Sequence, residues 1–483
     1  MRFTNTAIFV LVFVVDLISF GQTNETNHRV HTLDSCVQNQ SSKVVVGNIH
    51  LTGNKLTKEK IIMREMEFQQ GDTLDAEDFC KLMQASRLNL LNRSVFNFVT
   101  VDTIHDSNNP GIIHLDFNFI ERWYIWPLPI FELADRNFNA WFNTGKYSRV
   151  NYGMLFTHNN FRGRLEQLRI LFRAGFNQNV YVRYDIPYLT RKQTIGVGFL
   201  MGFSRSHEAP IATINEQQLF FKAQYGFARE NYYGGLVFTY RPAIRNSHSL
   251  TLAIDRYRFA DSVLVLNPNY SLSNDNELNS TNIAYQFRSD YRDYKPYPLV
   301  GHYFNFDLNL RRLFDKNESS QFFTVKTTFD FYAQISKKFY WASNLTSRFS
   351  TNHSQPYFLS NGFGFNNDML RSYELYVVDG NNWGIMKNNL KFELLAPRVS
   401  KIGVLKSEKF SKIHYAFYLN VFADLGYVAQ LSPDTSSKLQ NKLLNGTGLG
   451  LDFVTYYDLV FRLEYGMNHL KETGWFIHFV API

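Results

Sequence analysis

Residues 323–335 read FTVKTTFDFYAQI, and apolar and polar side chains alternate along them. The same alternation runs through Gly301–Leu310 and Tyr415–Leu425. Alternation over about ten residues has the length and phase of a tilted membrane-spanning strand, whereas strands of soluble sandwiches are usually about five or six residues long. These segments predict a β-barrel with an apolar outer face and a polar lumen. One face of 323–335 carries, apart from Thr327, only apolar residues: Phe323, Val325, Phe329, Phe331, Ala333 and Ile335.

The composition of the 483-residue chain excludes a bundle of membrane helices. Hydrophobic residues make up 45% and the mean hydropathy is -0.26. Beyond residue 21 no run of about 18 apolar residues occurs, which is the length a spanning helix needs. Aromatic residues reach 16%, more than a soluble core needs, and a lipid-facing surface with two interfacial girdles would use them. Composition alone leaves a large soluble all-β protein, such as a propeller, as the alternative.

The net charge of +8 comes from basic residues that are scattered along the chain. A surface that binds nucleic acid would gather them into a block, so we expect no nucleic-acid partner. Arginine and lysine facing a wet lumen explain the excess better. The two cysteines, Cys36 and Cys80, are too few for a disulfide framework, although they could pair in an oxidising compartment.

The amino terminus has the pattern of an export signal over residues 1–21. Arg2 supplies a positive charge, and the apolar run Ala7–Val15 follows it. Ser19 and Gly21 are small residues at the positions that a signal peptidase reads, so cleavage is expected before Gln22. The alternative is an uncut signal anchor. Residues 22–42 are interpreted as a polar linker.

Residues 43–122 predict a small α+β domain. The turn signals Gly53-Asn54 and Gly71-Asp72 separate its elements. This β-α-α-β-β order resembles a POTRA domain, the polypeptide-transport-associated module. The resemblance implies a small sheet with an open edge that accepts an extended polypeptide, unless that edge is simply solvated. The predicted elements are strand Lys43–Thr52, helix Thr57–Met66 with Thr57 as its N-cap, helix Asp75–Leu91, and strands Val95–Thr103 and Ile112–Ile120.

Residues 123–483 predict a transmembrane antiparallel barrel of about sixteen strands. Bacterial barrels normally have an even number of strands, so one of the seventeen segments that qualify must be wrong, and we expect it between 194 and 261. Trp475, Phe476, Ile477, His478 and Phe479 suit the closing strand. The candidate strands begin near residues 124, 149, 165, 178, 194, 216, 231, 248, 281, 302, 322, 338, 387, 415, 446, 459 and 474.

One small domain followed by such a barrel resembles the BamA/TamA family, also called the bacterial surface antigen family. The most specific match is Leu370-Arg371-Ser372-Tyr373, in the long Gly/Asn-rich segment 351–386. It corresponds to a hydrophobic-Arg-Gly-aromatic motif in a loop that folds back into the lumen. Ser372 replaces the expected glycine, which puts the tight turn in doubt because serine tolerates positive φ poorly.

The resemblance also implies an acidic partner for Arg371, because an arginine inside a barrel keeps its charge. Phe422-Ala423-Asp424-Leu425-Gly426 matches the family pattern for that partner, and alternation puts Asp424 on the lumen side. Glu393 is a second candidate, although the family's usual acidic position aligns better with Lys391. Weaker matches are Asn160-Phe161-Arg162-Gly163, Tyr184–Tyr188 and Asp290–Gly301. The repeated glycines Gly446, Gly448 and Gly450 are interpreted as wall glycines, since no helix follows them.

The sequence indicates a protein that is not an enzyme, with no catalytic residues, cofactor or metal. It has neither a Gly-x-Ser-x-Gly elbow nor a Walker sequence nor paired Cys/His metal spacing. The resemblance implies insertion, assembly or translocation of other polypeptides at the bacterial outer membrane, with the small domain in the periplasm. Its implied partners are outer-membrane lipid, exported or unfolded clients, and accessory periplasmic or lipoprotein subunits. A passive pore and a secretion partner for one exported protein remain the alternatives.

Overall fold

The computed structural model describes residues 43–133, 150–351, 355–401, 412–430, 437–455 and 459–479, apart from 110, 274, 361, 366 and 367. The described residues form a four-stranded sheet, a sixteen-stranded sheet and a separate two-stranded hairpin. The predicted signal peptide and linker lie outside them. Among the described helices, none combines the length and apolar character that crossing a bilayer demands.

The small N-terminal domain has the predicted β-α-α-β-β order with one short strand added. Its sheet has the order β2-β1-β4-β3, with β1 parallel to β4 and the other pairs antiparallel. The added strand β2 is three residues long, which is too short for alternation to reveal. The elements are β1 (Lys43–Thr52), α1 (Glu59–Met63), β2 (Thr73–Asp75), α2 (Ala76–Leu91), β3 (Phe96–His105) and β4 (Ile112–Glu121).

The start of α1 differs from the prediction. The helix begins at Glu59 after Lys58, and no side chain caps it. The predicted cap, Thr57, donates its hydroxyl to Glu121 Oε1 at 2.8 Å instead. Glu121 also accepts the backbone N–H groups of Leu56 and Thr57. A buried carboxylate at the end of β4 therefore holds the helix entrance, and this tertiary partner replaces the local cap.

Helix α2 packs its apolar face on the sheet of the small domain. Phe79 and Met83 on the helix are buried with Val46, Leu115 and Phe117 on the strands. Cys80, on the same face, is 1% exposed and is disulfide-bonded. Cys36, the other cysteine of the sequence, lies outside the described residues. A disulfide bond is stable in an oxidising compartment.

Residues 125–479 contribute the sixteen-stranded antiparallel sheet. Successive strands pair in chain order, except that β9 pairs with β12. The expected number of strands is confirmed. The strands are β5 (Ile125–Leu133), β6 (Val150–Phe161), β7 (Glu166–Gly175), β8 (Asn177–Ile186), β9 (Ile195–Ser206), β12 (Arg229–Tyr240), β13 (Asn246–Phe259), β14 (Glu277–Asp290), β15 (Gly301–Phe314), β16 (Ser319–Ser336), β17 (Phe339–Ser350), β18 (Asn382–Lys401), β19 (Lys412–Ala429), β20 (Leu444–Val454), β21 (Val460–Asn468) and β22 (Thr473–Phe479).

Burial along the strands alternates with charged residues inside and apolar residues outside. On β21 the buried residues include Arg462 and Glu464, while Leu463, Tyr465 and Met467 are exposed. A soluble sheet has the opposite arrangement. Lipid on the outside and a polar lumen within account for this pattern, which confirms the predicted barrel.

The surplus strand predicted from residue 216 is β11, and it lies outside the barrel. Strands β10 (Glu208–Ile214) and β11 (Gln217–Lys222) form a hairpin that packs with α3 (Asp261–Leu266) and a 3-10 helix at Tyr357–Leu359. The expected error between 194 and 261 is thus located. Period-two alternation cannot distinguish a barrel strand from a strand of this separate hairpin. It shows that a strand is amphipathic, but it does not show what the apolar face contacts.

The first barrel strand, β5, has an outer edge that lacks two hydrogen-bond donors. Asn159 N–H donates to Tyr124 O at 2.8 Å, so the even-numbered residues of this strand turn their backbone groups toward β6. The odd-numbered residues, Pro127 and Pro129 among them, turn theirs toward the outer edge. Proline has no N–H, so this edge lacks two consecutive donors. Strand β22 ends the sheet on its other side, and no ladder joins the described residues of β5 and β22.

Candidate functional site

The long loop between β17 and β18 places the motif Leu370–Tyr373 inside the barrel. All four of its residues are buried. The side chain of Arg371 reaches the inward faces of three strands, at Asn389 on β18, Asp424 on β19 and Glu464 on β21. The loop therefore crosses the lumen and fastens to the wall formed by the later strands.

Arg371 and Asp424, the pair that the family resemblance implies, form a bidentate ion pair. Arg371 Nε lies 2.7 Å from Asp424 Oδ2 and Nη2 lies 2.5 Å from Oδ1. The guanidinium also donates to Asn389 Oδ1 at 2.6 Å and stacks 4.2 Å from the ring centre of Phe422. Arg371 is 6% exposed and Asp424 is 1% exposed. Two parallel charge-assisted hydrogen bonds in a buried site fix both the position and the orientation of the loop.

The second carboxylate at Arg371 is that of Glu464, not Glu393. Glu464 Oε1 lies 3.2 Å from Arg371 Nη1. Glu393 is buried further along β18, opposite Tyr418, and is not among the hydrogen-bond and ion-pair partners of Arg371. Alternation puts both carboxylates on the lumen side. It cannot tell which of them the loop meets, because that depends on how the strands are staggered around the barrel.

The turn at Ser372 is kept although glycine is absent. Ser372 has a φ of 70°, in the left-handed region. The strands make room for this turn, since a Cβ added to Gly446 would lie 2.1 Å from Arg371 O and one added to Gly466 would lie 2.2 Å from Ser372 Oγ. Gly446 of β20 and Gly466 of β21 therefore allow the loop backbone to approach the wall, and for Gly446 this agrees with its interpretation as a wall glycine.

Two tyrosines fasten the loop to the turn between β21 and β22. Tyr373 Oη donates to Asn445 O at 2.9 Å and lies 2.6 Å from His469 Nδ1. Tyr376 Oη donates to the carboxylate of Glu472 at 2.7 Å. The loop thereby contacts the hairpin that carries the last strand.

The five residues expected at the closing strand divide between the two faces of β22. Trp475 and Phe479 are 63% and 57% exposed and point outward, while Phe476 is buried on the lumen side. His478 also points inward and contacts Glu374 of the loop and Glu464 of β21. Ile477, on the outward side, is half-buried. The last strand thus meets lipid on one face and the loop on the other.

A second buried ion cluster, which the sequence did not suggest, lies beside the first. Arg462 Nε and Nη2 lie 2.6 and 2.9 Å from the two oxygens of Asp452. Asp452 also accepts hydrogen bonds from Tyr297 at 2.7 Å and Asn420 at 2.8 Å. Tyr297 belongs to the turn between β14 and β15, which therefore reaches into the barrel from the end opposite the loop.

The small domain docks on the barrel turns that carry the weaker family matches. Asn160 Nδ2 donates to Thr57 Oγ1 at 2.8 Å, and Gly163 O accepts the N–H of Lys58 at 3.0 Å. On the other side, Asn92 donates to Asp293 O at 2.9 Å. These sequence motifs therefore form the contact between the two parts of the chain.

Glu65 is the centre of this contact. Its carboxylate forms an ion pair with Arg241 Nη1 at 2.5 Å and accepts the hydroxyl of Tyr188 at 3.0 Å. Arg93 lies 3.5 Å away on the small domain itself. Burial alone would raise the pKa of Glu65, but the charges of Arg93 and Arg241 outweigh it and lower the pKa to about 2. The ionised carboxylate thus joins the domain to two turns of the barrel.

Replacing Glu65 by glutamine is expected to release the small domain from the barrel. The change leaves two arginines close together without their counter-charge, at a cost of about 3–5 kcal/mol. A spin-label distance between Asp102 and Lys192, which are exposed on the two parts, should broaden from one narrow distribution. Glu77→Gln, at an exposed pair with Lys81, serves as the control and should leave it narrow. An unchanged distribution in Glu65→Gln would contradict the role of this contact.

Acid should act on the same contact in a defined window. The pKa of Glu65 is lower in the docked state than its ordinary value of 4.5, so its stabilisation is complete above that value and is lost as the pH falls through about 2. The spin-label distance should therefore stay narrow from neutral pH down to about pH 5 and broaden progressively below it. Broadening already at pH 6 would show that another group controls docking.

Comparisons with known proteins agree with both parts of this architecture. A family model described as POTRA, surface antigen variable number repeat, matches residues 44–122. No curated protein matches the sequence. Among solved structures, CdiB from Escherichia coli aligns with a TM-score of 0.51 at 12% identity, covering 90% of this chain and 76% of that one. This is a likeness of fold alone.

Two further structures align over the same share of the chain. The structure of BamA from Haemophilus ducreyi lacking POTRA domains 1-3 has a TM-score of 0.48 at 14% identity and is covered over 83% of its length. CdiB from Acinetobacter baumannii has a TM-score of 0.48 at 11% identity and is covered over 73%.

Proposed function

We propose that this chain, whose N-terminal domain matches the POTRA family model and whose barrel sheet has sixteen strands, is BamA/TamA-like and inserts or translocates other polypeptides at the outer membrane. The observation that carries the proposal is the edge of β5. A barrel that served only as a wall would be expected to close with a full ladder, because unpaired backbone groups are costly in lipid. Pro127 and Pro129 prevent β5 from donating two of the hydrogen bonds that such a ladder needs.

The seam is defined here as the junction between the edges of β5 and β22, where the barrel opens in this mechanism. A client segment in extended conformation can add to a strand edge through main-chain hydrogen bonds, whatever its side chains. At the two prolines the edge of β5 still has its carbonyl acceptors. A client strand can therefore pair with this edge by donating its N–H groups to them. A seam with fewer internal hydrogen bonds costs less to open, and this favours exchange of a barrel strand for a client strand.

The POTRA domain is positioned to deliver the client. Its sheet ends at β3, whose second half is exposed, and that edge can accept an extended segment. The Glu65 contact holds the domain against the turns of the first half of the barrel, next to β5. We place this domain in the periplasm, where an exported chain would meet it before the barrel.

A passive pore is the competing function, and the lumen contacts argue against it. The loop that carries Arg371 crosses the lumen, and Tyr297 reaches inward from the other end. A planar-bilayer recording separates the two functions. Small and erratic openings fit a barrel with a loop inside, whereas large and steady ion-selective conductance would support the pore.

Depletion of the protein in its native host, followed by quantitative proteomics of the outer membrane, tests the proposal. Loss of many barrel proteins would identify a general assembly factor, and loss of a single species would identify a secretion partner for one client. The single POTRA domain keeps the second role open. An unchanged outer-membrane proteome would refute both.

A further inference from the structure

Three side chains that are far apart in the sequence meet inside the barrel at the last strand. Glu374 comes from the lumen loop, Glu464 from β21 and His478 from β22. His478 Nε2 lies 3.3 Å from Glu374 Oε1 and 3.3 Å from Glu464 Oε2. The three ligand atoms all lie within 4.8 Å of one another. Both glutamates are 1% exposed.

The cluster is held by two ion pairs whose geometry is not that of well-formed hydrogen bonds. Glu464 Oε2 and His478 Nε2 are buried, and neither makes a hydrogen bond to any described group, although they are 3.3 Å apart. Buried polar atoms are nearly always hydrogen-bonded, so two ion-paired atoms that make no hydrogen bond can accept a further partner between them. Arg371 does not supply it, because it contacts the other oxygen of Glu464, Oε1.

The two 3.3 Å spacings from His478 and the chemistry of the three groups fit a metal ion. Two ligands that each lie about 2.0–2.1 Å from a tetrahedral zinc ion are about 3.3–3.4 Å from one another. One imidazole nitrogen and two carboxylates are donors that Zn²⁺ accepts, and water can complete the fourth position. Imidazole in the set disfavours Mg²⁺ and Ca²⁺, which take oxygen ligands.

We propose that Glu374, Glu464 and His478 form a binding site for a divalent transition-metal ion of the Zn²⁺ class. The ion joins the lumen loop to the last two strands of the barrel. His478 and Glu464 lie on the same face of neighbouring strands, since His478 pairs with Arg462 and Glu464 pairs with Phe476. Metal binding thereby tightens β22 on its lumen side, next to the edge where the barrel closes.

Metal binding to the purified full-length protein in detergent tests this site and needs no client. The protein, carrying an affinity tag without histidine, is stripped with a chelator and titrated with Co²⁺, whose visible absorption reports a tetrahedral site, and Zn²⁺ then competes for it. One equivalent should bind. His478→Gln and Glu374→Gln should each weaken binding by about 100-fold or more, because losing a ligand costs at least as much as losing a group that orients one.

A matched histidine variant and a folding check complete the experiment. His248→Gln changes a half-buried histidine on β13, which contacts Tyr285, and should bind as the wild type does. Heat-modifiable migration on SDS gels shows that each variant retains a folded barrel, and Zn²⁺ should raise the unfolding temperature of the wild type but not of His478→Gln. Equal binding by wild type and His478→Gln, or no binding by the wild type, would overturn the proposal and leave a protonated histidine between two carboxylates.

Discussion

Arg371→Ala is expected to destabilise the barrel by about 3–5 kcal/mol and to abolish assembly of client proteins. The substitution leaves Asp424 and Glu464 buried and deprives both of a cation that lies within 3.2 Å. It also removes the bidentate contact by which the guanidinium of the lumen loop is held to Asp424 on the wall. The loss of stability is measurable as a lower midpoint of urea unfolding followed by tryptophan fluorescence in detergent.

Further variants identify the cause of the loss. Arg371→Lys keeps the charge but cannot make two parallel hydrogen bonds, so an intermediate effect is expected. In the double variant Arg371→Ala/Asp424→Ala the buried carboxylate is also gone, and the loss should be smaller than the sum of the two single losses. Arg312→Ala, at an exposed position on β15, is the control and should change little. If Arg371→Ala retained both wild-type stability and client assembly, the loop would have no anchoring role.

The double variant Pro127→Val/Pro129→Val is expected to close the seam and to slow client assembly about tenfold or more. It restores two N–H donors on the edge of β5 that faces away from β6. Two added backbone hydrogen bonds contribute about 1–3 kcal/mol in total, and each 1.4 kcal/mol corresponds to a factor of ten. The measurement is the rate at which reconstituted protein assembles a purified outer-membrane client, together with the unfolding midpoint, which should rise.

The control for the double variant lies between the two prolines. Leu128→Val changes an exposed side chain on the same strand but adds no donor, and the backbone of Leu128 already faces β6. It should assemble clients at the wild-type rate. Wild-type assembly by the double variant as well would show that the seam at β5 does not limit the reaction.

The sequence determined the class of fold through patterns that are local to each strand. Alternation of apolar and polar residues over about ten residues, together with the excess of aromatic residues, favours a sheet between lipid and water, and it needs no knowledge of neighbouring strands. The pairing of Arg371 with Asp424 was implied by the family resemblance, because each of the two residues lies in a short motif that can be recognised from its own sequence. Because alternation is local to each strand, sixteen of the seventeen strands predicted from it are found in the barrel.

Only the tertiary structure decided which inward-facing groups meet. Glu464 and not Glu393 lies against Arg371, and His478 reaches Glu374, because the strand register and the path of the loop bring together residues that are separated by about ninety positions or more in the chain. The same holds for Glu65 and Arg241, which belong to different domains. Strand patterns fix the face on which a side chain lies, but its partners depend on distances that only the assembled sheet and the docked domain establish.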